Sequence, residues 1–300
     1  MIWCEHDKSR LRRLALGTAQ FGMVYGISNQ DGQVGHQEVA SIMRHAKAAG
    51  MDTLDTAMAY GDSELCLGSI GLTGWRVITK LPSFLETCRD ITAWVRKEVE
   101  DSLVRLNISC LAGLLLHAPM QLLKPEGTAL FKALVQLREQ RMVEKIGFSI
   151  YSPDELDALW QDFRPDLIQS PLNVLDRRLV SSGWLKRLQA AGIEVHVRSL
   201  FLQGLLLMKP SARPEKFKRW QPLWEHWAAW LDEQNLSPIT VCVGYAMSMP
   251  ELSRIIVGVD SKQQLDEILL AVAKQSPVLP PDALAVEDID LITPSHWNRL

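Results

Sequence analysis

Short apolar runs recur along the chain, each followed by a longer stretch in which apolar residues return every three or four positions. The runs are LALG (14–17), TLDT (53–56), RVITK (76–80), LAGLLLH (111–117), KIGFS (145–149), LIQSP (167–171), EVHVRS (194–199) and IIVGV (255–259). Most of them show almost no apolar–polar alternation, which marks strands buried on both faces, as in a parallel sheet covered by helices. The longer stretches are helical patterns: HQEVASIMRHAKAAG, SELCLGSIG, ITAWVRKEVEDSLVRLN, TALFKALVQLREQRM, SPDELDALWQDF, SSGWLKRLQAAG, a Trp-rich segment over 220–235, and SKQQLDEILLAVAKQ. Several carry their own punctuation. Ser152-Pro153-Asp154-Glu155 reads as a cap, a first-turn proline and first-turn acids. Ala49-Gly50 and Ala191-Gly192 end helices just ahead of the next strand.

Eight such alternations in 300 residues predict one α/β domain over residues 1–300, a (β/α)8 TIM barrel with 280–300 as a C-terminal tail. No Gly/Ser linker, low-complexity tract or charge block interrupts it. An open doubly wound sheet would want a G-x-G-x-x-G turn after its first strand, and Gly17-Thr18-Ala19-Gln20-Phe21-Gly22 lacks that spacing. Trp220, Trp224, Trp227 and Trp230, with Leu223 and Leu231, fall at helical spacing and predict a barrel-facing helix; an oligomer face is the alternative, so oligomeric state stays open.

Charge narrows the partners. Lys+Arg 32 against Asp+Glu 35 gives a net charge of −3, with no broad positive potential for nucleic acid or anionic lipid. The cysteines Cys4, Cys66, Cys88, Cys110 and Cys242 are odd in number and form no C-x-x-C, which argues against a disulfide framework or structural zinc and for a reducing compartment. His6, His36, His45, His196 and His226 show no metal-ligand spacing. The segment MIWCEHDKSRLRRLALG lacks the apolar core of a signal peptide, and no uncharged apolar run is long enough to span a bilayer. A cytoplasmic location is expected, with neither a membrane nor a nucleic-acid partner.

In a barrel of this kind, chemistry belongs just beyond the C-terminal ends of the strands. Asp55 and Tyr60 follow the second run, Lys80 ends the third and His117 ends the fourth. Singly, such residues are more often caps or loop anchors; four titratable groups at one mouth suggest a site. The stretch LDTAMAYGDSE (54–64), with Lys80 and His117 in order, resembles the aldo-keto reductase superfamily from Gly17 to about Glu267. GFS (147–149), Gln169 with Asn173, Asp176-Arg177, Gly204-Leu205 and VGVDSKQQLDE (257–267) extend the resemblance.

That resemblance implies reduction of a small-molecule aldehyde or ketone by NADPH or NADH, with Asp55, Tyr60, Lys80 and His117 catalytic and no metal. It implies cofactor contacts from Gly17, Thr18, Ser149, Gln169, Arg198, Ser199, Gly204, Gly258, Ser261, Lys262, Gln264 and Glu267. Hydride arriving at a carbonyl carbon leaves charge on oxygen, which calls for a proton donor in positive surroundings. Tyr60 is the expected donor. A phenol is a weak acid at neutral pH, and an ammonium about 4 Å away favours its anion by up to about 4 kcal/mol at an effective dielectric of about 20. Asp55 is expected to pair with Lys80, and His117, as a neutral donor, to orient the carbonyl.

The chain also departs from the pattern. Ile150 replaces an Asn common in relatives, and Arg198 replaces an aromatic that stacks on nicotinamide, a role open to a planar guanidinium. The RS-x-F-x-QG variant after that arginine resembles a branch acting in bacterial carbohydrate modification and points to a sugar-derived carbonyl. Gly258 and Gln264 stand where a Lys and an Arg are common, leaving Ser261 and Lys262 to hold a 2′-phosphate against the charge of Asp260; a modest NADPH preference is expected. Trp297, in the tail, is a candidate lid over the substrate. Two other readings compete: a cofactor-free aldolase forming a Schiff base on Lys80, and a nucleotide-binding regulatory subunit without turnover.

Overall fold

The computed structural model describes residues 5–85, 87–274 and 279–300. Cys4, the His6 side chain and Gln275, at the end of the last expected helix, lie outside the described residues. Eight strands close into an all-parallel barrel: β1 (Leu14–Gly17), β2 (Thr53–Asp55), β3 (Arg76–Leu81), β4 (Gly113–Leu116), β5 (Ile146–Ser149), β6 (Leu167–Pro171), β7 (Glu194–Arg198) and β8 (Arg254–Gly258). Each pairs with its sequence neighbour and β1 closes on β8, with Gly17 opposite both Asp55 and Gly258. The (β/α)8 barrel expected from the alternations is the fold observed.

Closure explains the unbroken apolar runs. Alternate side chains face the lumen and the helix layer, so both sets are buried. The helix-facing set belongs to the large core, while Ile78, Ala112, Leu115 and Leu167 form a separate cluster. The lumen is therefore plugged. A Cβ on Gly147 of β5 would lie 2.0 Å from the Leu167 carbonyl oxygen and 2.7 Å from Leu115, so the plug leaves no room for a side chain there. Polar groups pair toward the strands' N-terminal ends: Arg254 Nε donates to Thr53 Oγ1 at 3.0 Å, and the His196 Nε2 and Glu194 Oε1 atoms lie 2.7 Å apart.

Helices His36–Ala48, Ser63–Ile70, Ile91–Leu106, Gly127–Glu139, Asp154–Leu159, Trp184–Ala190 and Lys262–Lys274 follow the expected pattern, with ends trimmed except at Gly127, one residue ahead of the expected start. The segment before β8 differs. The Trp-rich helix Gln221–Gln234 is present, but a further helix, Pro238–Met247, comes between it and β8 and packs on Lys262–Lys274. Its sequence, PITVCVGYAM, is apolar nearly all round and β-branched, so no 3.6-residue period marks it; Ser237 starts it by accepting from the Thr240 amide. Trp224 and Trp227 are buried, donating to the carbonyls of Phe217 and Leu206. Trp297 is also buried, edge-on to Phe217 at 5.0 Å with its indole N–H on Leu291. It therefore packs the tail against this region instead of closing over the barrel mouth. Among the described residues, no helix is long and apolar enough to cross a membrane, and no group of three or more His, Cys, Asp or Glu could hold a metal.

Candidate active site

The loop carrying Tyr60 is pinned from several sides. After β2, the Thr56 amide donates to Ile78 and the Met58 amide to Lys80, tying the loop to β3. Its far end lies against the short helix Ala19–Gly22 after β1. A Cβ on Gly22 would stand 1.9 Å from the Tyr60 carbonyl oxygen, and one on Gly61, at φ +51°, 2.2 Å from that of Gly22. Only glycines permit that approach. Ser63 then donates to the Thr18 carbonyl at 2.9 Å. Glu64, 2% exposed, accepts from Thr79 Oγ1 at 2.7 Å, Ser102 Oγ at 2.8 Å and Arg105 Nε at 2.8 Å. The Ser-Glu end of the motif is thus scaffold: a buried carboxylate supplied with three donors locks helix Ser63–Ile70 to its neighbours.

The four expected catalytic residues meet at the C-terminal mouth. Lys80, 1% exposed, donates to Asp55 Oδ2 at 2.7 Å and to the Thr56 carbonyl at 2.8 Å. Its ammonium stands 5.0 Å from the centroid of the Tyr60 ring. The His117 ring meets Tyr60 edge-on, centroids 6.0 Å apart at 80°. Burial disfavours the Lys80 ammonium, but Asp55 and Tyr60 outweigh it, so the pKa is raised and the group stays charged. His117 goes the other way: burial, then the charges of Lys80 and Arg198, lower it to about 4, which makes it a neutral imidazole at physiological pH.

Beside Tyr60 opens a cleft of ≈ 390 Å³ that runs past Gly17 and Thr18, along the segment after β7, to the segment after β8. Of the expected cofactor contacts, Gly17, Thr18, Arg198, Ser199, Gly204, Gly258, Gln264 and Glu267 line it, together with Asp55 and Tyr60. Four do not. Ser149 Oγ donates to Gln169 Oε1 at 3.4 Å and Gln169 Nε2 to Asp55 Oδ1 at 2.6 Å, a buried chain that supports the ion pair from below. Ser261 caps helix Lys262–Lys274 by accepting from the Gln264 amide at 3.2 Å, and Lys262 is exposed outside the cleft. Arg198 lies 4.6 Å from the Tyr151 ring and donates to the Ile150 carbonyl at 3.1 Å, with no carboxylate paired to it among the described residues.

Lining residues outside the sequence expectation include Gln20, in the short helix after β1, and Tyr25, Ser28, Phe201 and Gln203, in the loops that follow β1 and β7. The strand-end rule points to those loops but not to which of their residues face inward. The β1 loop forms a strap: the Ile27 amide donates to the Gln203 carbonyl at 3.2 Å, and Asn29 Nδ2 to Asp260 Oδ1 at 3.3 Å. Beneath the strap Ser199, Leu202 and Gln203 hold positive φ, a costly backbone state for non-glycine residues. Asn173 Nδ2, donating to the Ser199 carbonyl at 3.1 Å, buttresses it.

The aldo/keto reductase family matches residues 13–279 of the chain. The chain belongs to this family. Its fold is similar to that of the aldo-keto reductase AKR11C1 from Bacillus halodurans, in a holo form, with a TM-score of 0.70, 21% identity, and coverage of 90% of this chain and 88% of that one. It is also similar to PA4992 of Pseudomonas aeruginosa, another structure of aldo-keto reductase type, with a TM-score of 0.65, 20% identity, and coverage of 88% and 90%. No curated protein matches the chain.

An aldo/keto reductase uses a nicotinamide nucleotide, and the cleft of this reductase suits one. It is lined by residues from Tyr60 to Glu267, partly by backbone at Gly17, Gly204 and Gly258. A Cβ on Gly204 would fall 2.0 Å from Ser28 Oγ and one on Gly258 2.6 Å from the Gln20 amide, so side chains at either position would crowd the cradle. Gly17, Gly204, Ser199 and Arg198 would hold the nucleotide near Tyr60, and Gly258, Gln264 and Glu267 its other end.

Proposed function

We propose that this reductase converts an aldehyde or ketone to the alcohol, with Tyr60 as the proton donor. The observation that carries the reading is the setting of Tyr60: an ammonium over its ring at 5.0 Å and a neutral imidazole beside it in an edge-on contact, in the wall of the cleft. A bound NADPH or NADH supplies hydride to the carbonyl carbon. His117, neutral, donates a hydrogen bond to the carbonyl oxygen and orients it. Tyr60 gives its proton to that oxygen as charge develops there. Lys80 then stabilises the phenolate; a full charge about 5 Å away contributes about 3 kcal/mol at an effective dielectric of about 20, before Asp55 offsets part of it. Asp55 and Gln169 hold Lys80 in register.

The same ion pair argues against Schiff-base chemistry on Lys80, because a buried, twice hydrogen-bonded ammonium has no lone pair to attack with. A sugar or sugar-derived carbonyl is the substrate class the Arg198-Ser199 variant favours. A carbonyl panel with phosphorylated and unphosphorylated sugars, followed by nucleotide absorbance, tests the assignment. Tyr60→Phe is expected to lower kcat by about 10²–10⁴-fold with nucleotide affinity nearly unchanged. Wild-type turnover in that variant, or intact nucleotide binding with no multiple turnover on any carbonyl, overturns the reading; the latter result favours a regulatory nucleotide-binding subunit.

A further inference from the structure

We propose that the far end of the cleft selects against a 2′-phosphate, so that NADH binds in preference to NADPH, with Asp260 as the selecting carboxylate. The proposal rests on the reading of the cleft as a nicotinamide-nucleotide site. A dinucleotide with its reactive end at Tyr60 runs its adenosine end toward the segment after β8, where Gly258, Asp260, Gln264 and Glu267 form the wall. That wall carries two carboxylates. Among the residues lining the cleft, the basic one is Arg198, which ends β7.

Asp260 is held in place. Its Oδ1 accepts from Asn29 Nδ2 at 3.3 Å, and its amide donates to Gln264 Oε1 at 2.8 Å. The start of a helix is a common seat for phosphate, yet in Lys262–Lys274 it is already occupied. The Lys262 amide donates to the Glu38 carboxylate at 2.7 Å, and the Gln264 amide to Ser261 Oγ at 3.2 Å. Lys262, the cation within 258–267, stands exposed outside the cleft. A 2′-phosphate carries about 1.5–2 negative charges at neutral pH and would meet Asp260, Glu267 and nearby Glu38 without a lining cation. A ribose 2′-hydroxyl, by contrast, can donate to a carboxylate. This reverses the NADPH preference expected from Lys262, because the placement of the lysine, not its presence, decides what it can reach.

Titration of the full chain with NADH and with NADPH, followed by tryptophan fluorescence and by calorimetry, tests this without turnover. NADH is expected to bind at least about tenfold tighter. Equal or tighter binding of NADPH overturns the proposal and leaves the nucleotide reading standing; no signal with either nucleotide overturns that reading and the proposal with it. Asp260→Ser is expected to narrow the ratio about tenfold, chiefly by tightening NADPH; an unchanged ratio overturns Asp260 as the selector. Because Asp260 also anchors Asn29, a second variant leaves that carboxylate and its bond to Asn29 in place. Gln264→Arg, on an exposed helix position, is expected to tighten NADPH about tenfold while NADH changes little. No gain for NADPH there means that no phosphate reaches this wall, which overturns the proposal.

Discussion

The two ends of the cleft are built by different means. At the Tyr60 end, Asp55 and Lys80 project from strand ends whose register is set by neighbours on both sides, and their ion pair is almost fully buried. At the far end, Asp260, Gln264 and Glu267 sit on a half-buried to exposed segment, and single side-chain bonds such as Asn29 to Asp260 cross from loop to loop. Buried charges act through a low dielectric and tolerate no missing partner; exposed ones act through water and exchange partners cheaply. The Tyr60 end is consequently rigid and expensive to alter, while the far end is adjustable.

Breaking the ion pair is the strongest challenge to that contrast. Lys80→Met leaves Asp55 buried without its cation and is expected to cost about 3–5 kcal/mol in urea unfolding. Adding Asp55→Asn to it should recover part of the loss, since the uncompensated charge disappears; a double variant as unstable as the sum of the singles would show that the pair is not coupled.

His117 sharpens the comparison through pH. Its pKa is about 4 in the folded protein against an ordinary 6.5, so below pH 6.5 the unfolded chain takes up a proton that the folded site refuses. Folded stability on this account falls as pH drops from 6.5 toward 4 and is unaffected above 6.5. His117→Asn is expected to recover about 2 kcal/mol at pH 5 and nothing on this account at pH 8, measured by denaturant midpoints, although it loses activity. Equal shifts at the two pH values would contradict the burial of that imidazole.

The smallest effect belongs to the strap. Asn29→Ala removes the partly buried bond to Asp260, worth about 0.5–1.5 kcal/mol, together with that side chain's bonds to Tyr25, Asp31 and Gly32 within the strap. Nucleotide release in a stopped-flow chase should therefore speed up by at least about two- to tenfold. Unfolding of the barrel should be nearly unchanged. A variant that unfolds markedly earlier would mean that the strap supports the fold and not the cleft alone.

Much of this was legible in the residues. LALG and LIQSP are β1 and β6 to the residue, because strands buried on both faces lack the regular apolar–polar alternation of half-exposed ones. Asp55, Tyr60, Lys80 and His117 were locatable because the mouth of a parallel barrel gathers whatever stands at its strand ends. Helix Pro238–Met247 was not, since an element buried on every side has no period to read. Nor was the role of Glu64, whose three donors come from β3 and helix Ile91–Leu106.

The sequence alone determined the eightfold alternation, the closed barrel and the four groups at its mouth, since these follow from local periodicity and from one rule of strand polarity. Tertiary structure decided which of the nominated contacts face the cleft. Gln169 and Ser149 turned out to brace Asp55, Ser261 to cap a helix, and Trp297 to pack the tail against Phe217. It also placed Asp260 under the strap and left Lys262 outside. The reason is physical. A strand end has its direction dictated by the pleat, whereas a loop side chain goes wherever its partners, which are distant in sequence, offer a hydrogen bond or an apolar face.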